Sequence, residues 1–215
     1  MVWTSFRRLS SSGTFLAVAV LTACSPKADN LLDVPASPEP AVSVQAQHAA
    51  NLAAIEAARQ AADGRYADLK AAWAARDGGS RPMTAASTSS GTFVACAPLP
   101  FDGQAQIIGS GGGTFSFGPH RLYVPAGALS QATSIAVMVD PDLKTRVTLL
   151  PHGLKFVSPV KLVLAYDHCD PSATHRVAYI DGYGKILEWT VATDYPEYEK
   201  VTAKLDHFSD YAIAY

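Results

Sequence analysis

The sequence is short of positive charge, of cysteine and of long apolar runs. Its 17 Lys and Arg residues face 19 Asp and Glu residues, for a net charge of −2, so it lacks the basic excess typical of nucleic-acid-binding proteins. Only three cysteines occur in 215 residues. The N-terminal apolar run, Phe15 to Leu21, is far shorter than the ~20 residues that a membrane-spanning helix needs. We therefore expect no nucleic-acid partner and no membrane-spanning helix at this end.

The residues that flank this run are more specific. Two arginines precede it, and Leu21-Thr22-Ala23-Cys24 follows it directly. This order resembles the lipobox of bacterial lipoproteins, in which lipid is attached to the cysteine thiol and the peptide is cut just before the cysteine. The resemblance implies a signal peptide at residues 1–23 and a lipid anchor at Cys24. The alternative is a conventional signal cleaved nearby, with an unmodified cysteine.

The same resemblance implies a location in the bacterial cell envelope, held to a membrane by the N-terminal lipid. Lipoproteins with this kind of sorting often carry aspartate after the modified cysteine when they stay in the inner membrane. Ser25 stands at that position here, which favours the outer membrane.

Two segments of different composition follow. Residues 24–47 hold four prolines and no apolar periodicity, which predicts a disordered tether that reaches at most ~70 Å at about 3.1 Å per residue. Residues 48–77 are rich in alanine and predict one amphipathic helix, because apolar residues recur at spacings of three and four. The recurring residues are Leu52, Ile55, Ala62, Tyr66, Leu69 and Trp73.

The sequence alone does not decide what this helix packs against. Arg59 interrupts its apolar seam and Gly64 weakens its middle, so docking on its own domain or a solvated spacer is favoured over self-association, and a monomer is expected. Gly78-Gly79 ends the helix, since glycine readily takes the left-handed conformation. Residues 78–92 are then predicted to be a Ser/Thr-rich linker.

Residues 93–215 show the twofold apolar period of strands, and we predict a mainly β fold, an antiparallel β-sandwich. Strand predictions include Thr133 to Val139, Val160 to Tyr166, Lys185 to Val191 and Asp210 to Tyr215. Asp181-Gly182-Tyr183-Gly184 predicts a hairpin turn.

Five pieces of this region carry a family resemblance. They are similar to the ZU-five domain of ankyrins, zona occludens protein and Unc-five receptors, and they are Gly112 to Phe117, Leu122 to Leu129, Ile135 to Val139, Leu150 to Phe156 with its glycine turn at Gly153, and Pro159 to Leu162. The resemblance covers roughly residues 109–166. It implies a β-sandwich that is used for protein contacts.

The glycine run Gly109 to Gly113 imitates the start of a dinucleotide-binding turn. That motif requires a helix whose N-terminus meets the phosphate, whereas a strand pattern follows here. No nucleotide and no other cofactor is therefore expected.

Two cysteines remain once Cys24 is assigned to lipid. Cys96 and Cys169 are predicted to form a disulfide in an oxidising envelope compartment. The alternative groups His168, Cys169, Asp170 and His175 as metal ligands, but their spacing matches no common zinc pattern, so no metal site is assigned. His120 and His152 are expected to be surface residues.

One tripeptide raises a catalytic hypothesis. In some eukaryotic death-domain proteins a ZU-five domain paired with a neighbouring β-domain cuts itself at His-Phe-Ser, and His207-Phe208-Ser209 resembles that site. The resemblance implies attack by the Ser209 hydroxyl on the Phe208 carbonyl, assisted by His207. The alternative is a structural role, with Phe208 in the core.

We therefore expect a non-enzymatic binding or structural module whose partner is an envelope protein or a wall polymer. An envelope glycan-binding module and self-cleavage between Phe208 and Ser209 are the alternatives. The aromatic residues Tyr183, Tyr195 and Tyr198, near predicted loops, are candidate contact residues.

Overall fold

The computed structural model describes residues 42–77, 92–170 and 174–215. The predicted signal peptide, Cys24, the first eighteen residues of the tether and residues 78–91 of the linker lie outside the described residues. The described part contains one long helix, eleven strands and a short 3-10 helix. Their bounds are α1 Val44–Asp77, β1 Asp102–Ile108, β2 Gly113–Phe117, β3 His120–Val124, β4 Thr133–Val139, β5 Arg146–Leu150, β6 Lys155–Ala165, β7 Arg176–Ile180, β8 Ile186–Trp189, β9 Val191–Tyr195, the 3-10 helix Pro196–Tyr198, β10 Lys200–His207 and β11 Asp210–Ala214.

The strands form two antiparallel sheets packed face to face. One sheet has the order β1-β4-β5-β11-β7-β8, and the other has the order β2-β3-β6-β10-β9. The predicted mainly β, antiparallel sandwich is therefore confirmed.

The core lies between the two sheets and is built from alternate residues of each strand. Phe115, Leu162 and Leu205 face inward from the five-stranded sheet, while Val137 and Tyr211 face inward from the six-stranded sheet. Each of them is essentially inaccessible to solvent. This pattern follows from the twofold side-chain period of a strand.

Three of the predicted strands occur where the twofold pattern placed them. β11 ends at Ala214, one residue before the predicted end at Tyr215, and its Tyr211 and Ile213 point into the core. β4 has the predicted bounds, and Val160, Leu162 and Leu164 of β6 point into the core as predicted. Tyr166 follows the end of β6, but its side chain still packs against the core. β6 also begins five residues earlier than predicted, at Lys155.

The predicted strand Lys185 to Val191 is wrong as a single strand. The chain leaves the six-stranded sheet after Trp189 and joins the five-stranded sheet at Val191. Because Thr190 makes this crossing, Leu187 and Val191 are exposed rather than sharing a buried face. The backbone N–H of Thr190 and its hydroxyl both donate to the Val177 carbonyl, which holds the crossing in place.

The predicted hairpin turn is confirmed between β7 and β8. Asp181 organises it, since its Oδ1 accepts hydrogen bonds from the backbone N–H groups of Tyr183 and Lys185 at 2.9 and 2.8 Å. Gly184 has a φ of 80°, which side chains rarely tolerate.

Helix α1 docks on the outer face of the six-stranded sheet, against β1 and β4. Ile55 packs there with Ala136 and Met138, and the Asn51 amide donates to the Ser134 carbonyl at 3.1 Å. A Cβ at Gly103 of β1 would lie 3.2 Å from Ile55 Cγ2, so the missing side chain lets the helix approach closely. The helix also explains why β4 is buried on both faces.

The docked face matches most of the predicted apolar positions. Ala62 is buried, and Tyr66, Leu69 and Trp73 are half-buried, whereas Leu52 is 49% exposed and was wrongly assigned to this face. The helix begins at Val44, four residues before the predicted start at residue 48. Ser43 explains the difference, because its hydroxyl accepts the Ala46 N–H as a helix cap.

At the other end of the helix, Arg76 forms an ion pair with Asp170. Within residues 42–77, 92–170 and 174–215, no helix has the length and apolar character needed to cross a membrane.

Candidate functional site

The predicted disulfide is present and joins Cys96 to Cys169. It ties the segment that precedes β1 to the turn that follows β6. Cys96 is completely buried, and the Thr145 hydroxyl lies 3.3 Å from its sulfur. The bridge closes a loop across 73 positions of sequence.

The four residues considered as alternative metal ligands do not come together around one point. Only His168 lies beside the two cysteines, whose sulfurs are bonded to each other. Asp170 pairs with Arg76 instead, and His175 Nδ1 lies 3.3 Å from the Asp194 carboxylate. The four residues lie within residues 168–175, but the disulfide, the Arg76 ion pair and the Asp194 contact are three separate interactions.

His120 was wrongly expected at the surface. It is fully buried in β3, and its Nδ1 accepts the Ala165 N–H at 3.2 Å. Burial, together with the neighbouring His168, lowers its pKa from 6.5 to about 3. The imidazole is therefore neutral at physiological pH, and its role is structural. His152, by contrast, is half-exposed, 3.7 Å from Asp210.

The His207-Phe208-Ser209 tripeptide forms the crossing from β10 of one sheet to β11 of the other. Phe208 is completely buried and packs edge-on against Phe156, with ring centroids 4.8 Å apart. Its carbonyl accepts the Gly153 N–H at 2.8 Å. The His207 ring packs edge-on against Tyr179, at 5.1 Å between centroids. These contacts give the tripeptide a structural role, and its cleavage stays a prediction.

A groove of about 500 Å³ opens beside the disulfide. Asp102, Asp167 and His168 contribute its polar side chains, among prolines and apolar residues. Asp102 already accepts the Gly118 N–H at 2.7 Å, and His168 Nε2 lies 3.1 Å from the Thr145 hydroxyl. Asp102 and His168 are therefore already engaged in contacts within the protein, and these contacts stabilise the turns around the groove.

The most distinctive surface is the outer face of the five-stranded sheet. Helix α1 packs on β1 and β4 of the other sheet, whereas no described helix or strand packs on this face. Its outward positions include five exposed cations and one exposed carboxylate, Asp206. We call this surface the basic face and define it by Arg121, Lys155, Lys161, Lys200 and Lys204.

The strand register brings these cations together. Lys161 of β6 stands directly opposite Lys204 of β10, and Tyr123 of β3 is opposite Lys161 on its other side. The Lys161 ammonium lies 4.5 Å from the centre of the Tyr123 ring. Arg121 lies two residues from Tyr123 on the same strand, on the same face. The result is a continuous cationic surface across three strands.

None of the five cations forms an ion pair with another described residue, whereas five of the other described cations do. Like charges placed directly opposite each other across a strand pair destabilise a sheet. The Lys161 and Lys204 pair therefore has an unfavourable electrostatic energy within the fold itself.

The sequence reasoning missed this surface because the overall charge of −2 conceals it. The signal that could have found it is the even spacing of Lys200 and Lys204, and of Lys155 and Lys161, which puts each pair on one side of a strand. Of the three tyrosines proposed as contact residues, Tyr195 lies on the same side of the sheet, opposite Lys200. Tyr183, in the hairpin turn, and Tyr198, in the 3-10 helix, are both exposed.

No protein-family model matches the chain, and no curated protein matches it.

Proposed function

We propose that this chain is a lipid-anchored protein of the bacterial cell envelope whose ZU-five-like sandwich is a non-catalytic binding module. The basic face is the observation that carries the proposal. Its cations form no ion pair with another described residue and include an opposed pair that costs stability, so they are best explained by a ligand that supplies negative charge. The partner is accordingly an anionic component of the envelope.

The disulfide supports the proposed compartment. Disulfides persist in oxidising compartments such as the bacterial periplasm and are rare in the cytosol. The bond between Cys96 and Cys169 therefore agrees with a protein that is exported before it folds. The proposed lipid anchor at Cys24 would then hold the folded domain near a membrane.

Replacing Cys24 with serine tests the anchor. The variant cannot form the thioether that carries the lipid, so we expect complete loss of fatty-acid labelling and movement of the protein out of the membrane fraction. The measurement is metabolic labelling with a fatty-acid analogue in a bacterial host, followed by fractionation. Ser25→Ala is the matched control and should keep the label. A Cys24→Ser protein that is still labelled would contradict the anchor.

Reversing two charges of the basic face tests the binding module. In Lys161→Glu/Lys204→Glu we expect the capture of anionic material from an envelope extract to fall by about tenfold or more. The two new carboxylates repel an anionic partner at the contact. Lys70→Glu/Lys185→Glu changes the net charge equally at exposed positions away from this face, and should capture as much as the wild type. Equal loss in both variants would show that net charge alone matters, and would contradict the proposal.

A further inference from the structure

The basic face combines its charge with exposed apolar side chains. Val157 of β6 and Val191 of β9 are each 76% exposed, more than any other large aliphatic side chain among the described residues. Tyr195 of β9 is 41% exposed. All three point outward on the same sheet as the cations, because they occupy the alternate positions of their strands.

This combination is informative about the partner. A soluble polyanion binds to cations and hydrogen-bond donors, and an exposed valine does not add to its affinity. A bilayer surface offers both anionic headgroups and an apolar layer just beneath them, and amphipathic surfaces bind it through apolar burial together with attraction to anionic lipids. Lysine suits such a site, since its apolar stem can lie along the interface while the ammonium stays among the headgroups.

The dimensions of the face also suit a surface rather than a pocket. Val191, Lys204, Lys161 and Tyr123 stand in one row across four strands. At about 4.8 Å between strands, this row is about 14 Å wide. Lys155 and Lys161 are six residues apart on β6, which is about 20 Å along the strand. Five cations are thus spread over an area that can contact several lipid headgroups at once.

We propose that the basic face is a docking surface for an anionic phospholipid bilayer, with Lys161 and Lys204 at its centre and the nearby Val157 and Val191 inserted into the bilayer. This inference rests on the proposed function, since it names the anionic component that the binding module contacts. The lipid at Cys24 would act as a second attachment to a membrane. It would raise the effective concentration of the face at the bilayer, so that weak docking would suffice.

The test uses the chain from residue 24 onward with Cys24→Ser, so that no lipid contributes to binding. Sedimentation with vesicles of phosphatidylglycerol and phosphatidylcholine in equal parts is compared with vesicles of phosphatidylcholine alone. We expect binding only to the anionic vesicles and a decrease as salt rises, because salt screens the attraction. Binding that is equal to both kinds of vesicle would overturn the proposal.

Matched variants locate the contact. Lys161→Gln/Lys204→Gln should lower the vesicle partition coefficient by about 30-fold, since each cation near an anionic surface contributes about one kcal/mol. Lys70→Gln/Lys185→Gln, with the same change in net charge away from the face, should bind as the parent does. Val157→Ser/Val191→Ser should lower binding by about tenfold, because their methyl groups no longer enter the apolar layer. A Lys161→Gln/Lys204→Gln protein that binds vesicles as well as the parent would overturn the proposal.

A parallel measurement with immobilised dextran sulfate separates this inference from the proposed function. If the chain fails to bind vesicles but binds the soluble polyanion through Lys161 and Lys204, bilayer docking is overturned while a binding module with a polyanionic partner stands. If it binds neither probe, bilayer docking and the proposed binding module are both overturned. Retention of full vesicle binding by Val157→Ser/Val191→Ser would overturn the insertion of the two valines and leave a purely electrostatic contact with the lipid headgroups.

Discussion

Replacing Cys96 and Cys169 together with alanine is expected to lower the free energy of unfolding by about 4 kcal/mol. In the chain-entropy model, a cross-link stabilises by restricting the unfolded chain, and the effect grows with the size of the closed loop. The two residues are separated by 73 positions, so the disulfide closes a long loop and its expected contribution to stability is large. For a chain of this size the melting temperature should fall by about 10 °C. Urea unfolding of the oxidised protein and of the variant is the measurement.

The wild type provides its own control. Unfolding it in the presence of a dithiol reductant should reproduce the stability of the double alanine variant, since both lack the cross-link. Thiol titration of the unfolded, unreduced chain from residue 24 with Cys24→Ser should find no free thiol. A variant as stable as the oxidised wild type would show that the bridge contributes nothing, and would contradict the prediction.

Replacing Phe208 with alanine is expected to lower the free energy of unfolding by about 3 to 5 kcal/mol. Its side chain is completely buried and meets the Phe156 ring edge-on, so alanine would leave a cavity at the crossing between the two sheets. The backbone at this position is also paired, because the Phe208 N–H donates to the Leu154 carbonyl at 2.9 Å. Urea unfolding followed by tryptophan fluorescence measures the loss.

Two neighbouring variants separate the packing of Phe208 from a catalytic role of the tripeptide. Phe208→Leu keeps most of the apolar volume and should lose clearly less stability than alanine does. Ser209→Ala removes the proposed nucleophile but only one oxygen atom, so the free energy of unfolding should fall by clearly less than in Phe208→Ala. A Phe208→Ala protein as stable as wild type would contradict the core assignment. In the same samples, intact mass reports whether the peptide that starts at Ser209 is released from wild type and retained in Ser209→Ala.

Much of the sandwich could be predicted because local sequence patterns indicate where strands occur. In Thr133 to Val139 a β-branched residue recurs at every second position, and in Val160 to Leu164 every second residue is apolar and faces the core. The Asp181 turn was likewise predictable, since an aspartate and two glycines act within five residues. The disulfide followed from the cysteine count and the proposed compartment.

The errors share a different cause. Lys185 to Val191 alternates like one strand, but the hydrogen bonds of Thr190 with Val177 divide it between two sheets. His120 looked like a loop residue, since nothing local shows that Ala165 will supply the N–H that its ring accepts. In each case the deciding partner lies more than ten residues away.

By itself, the sequence determined the mainly β class, one helix that ends at Asp77 and the hairpin turn at Asp181, because propensity, apolar period and turn chemistry act over a few neighbouring residues. Only the tertiary structure decided which strands become neighbours. That choice put Lys161 opposite Lys204, placed the helix on β1 and β4 of one sheet and left the outer face of the other sheet without a described helix or strand upon it. The candidate binding surface is thus a product of strand register, which long-range packing sets and local sequence patterns do not contain.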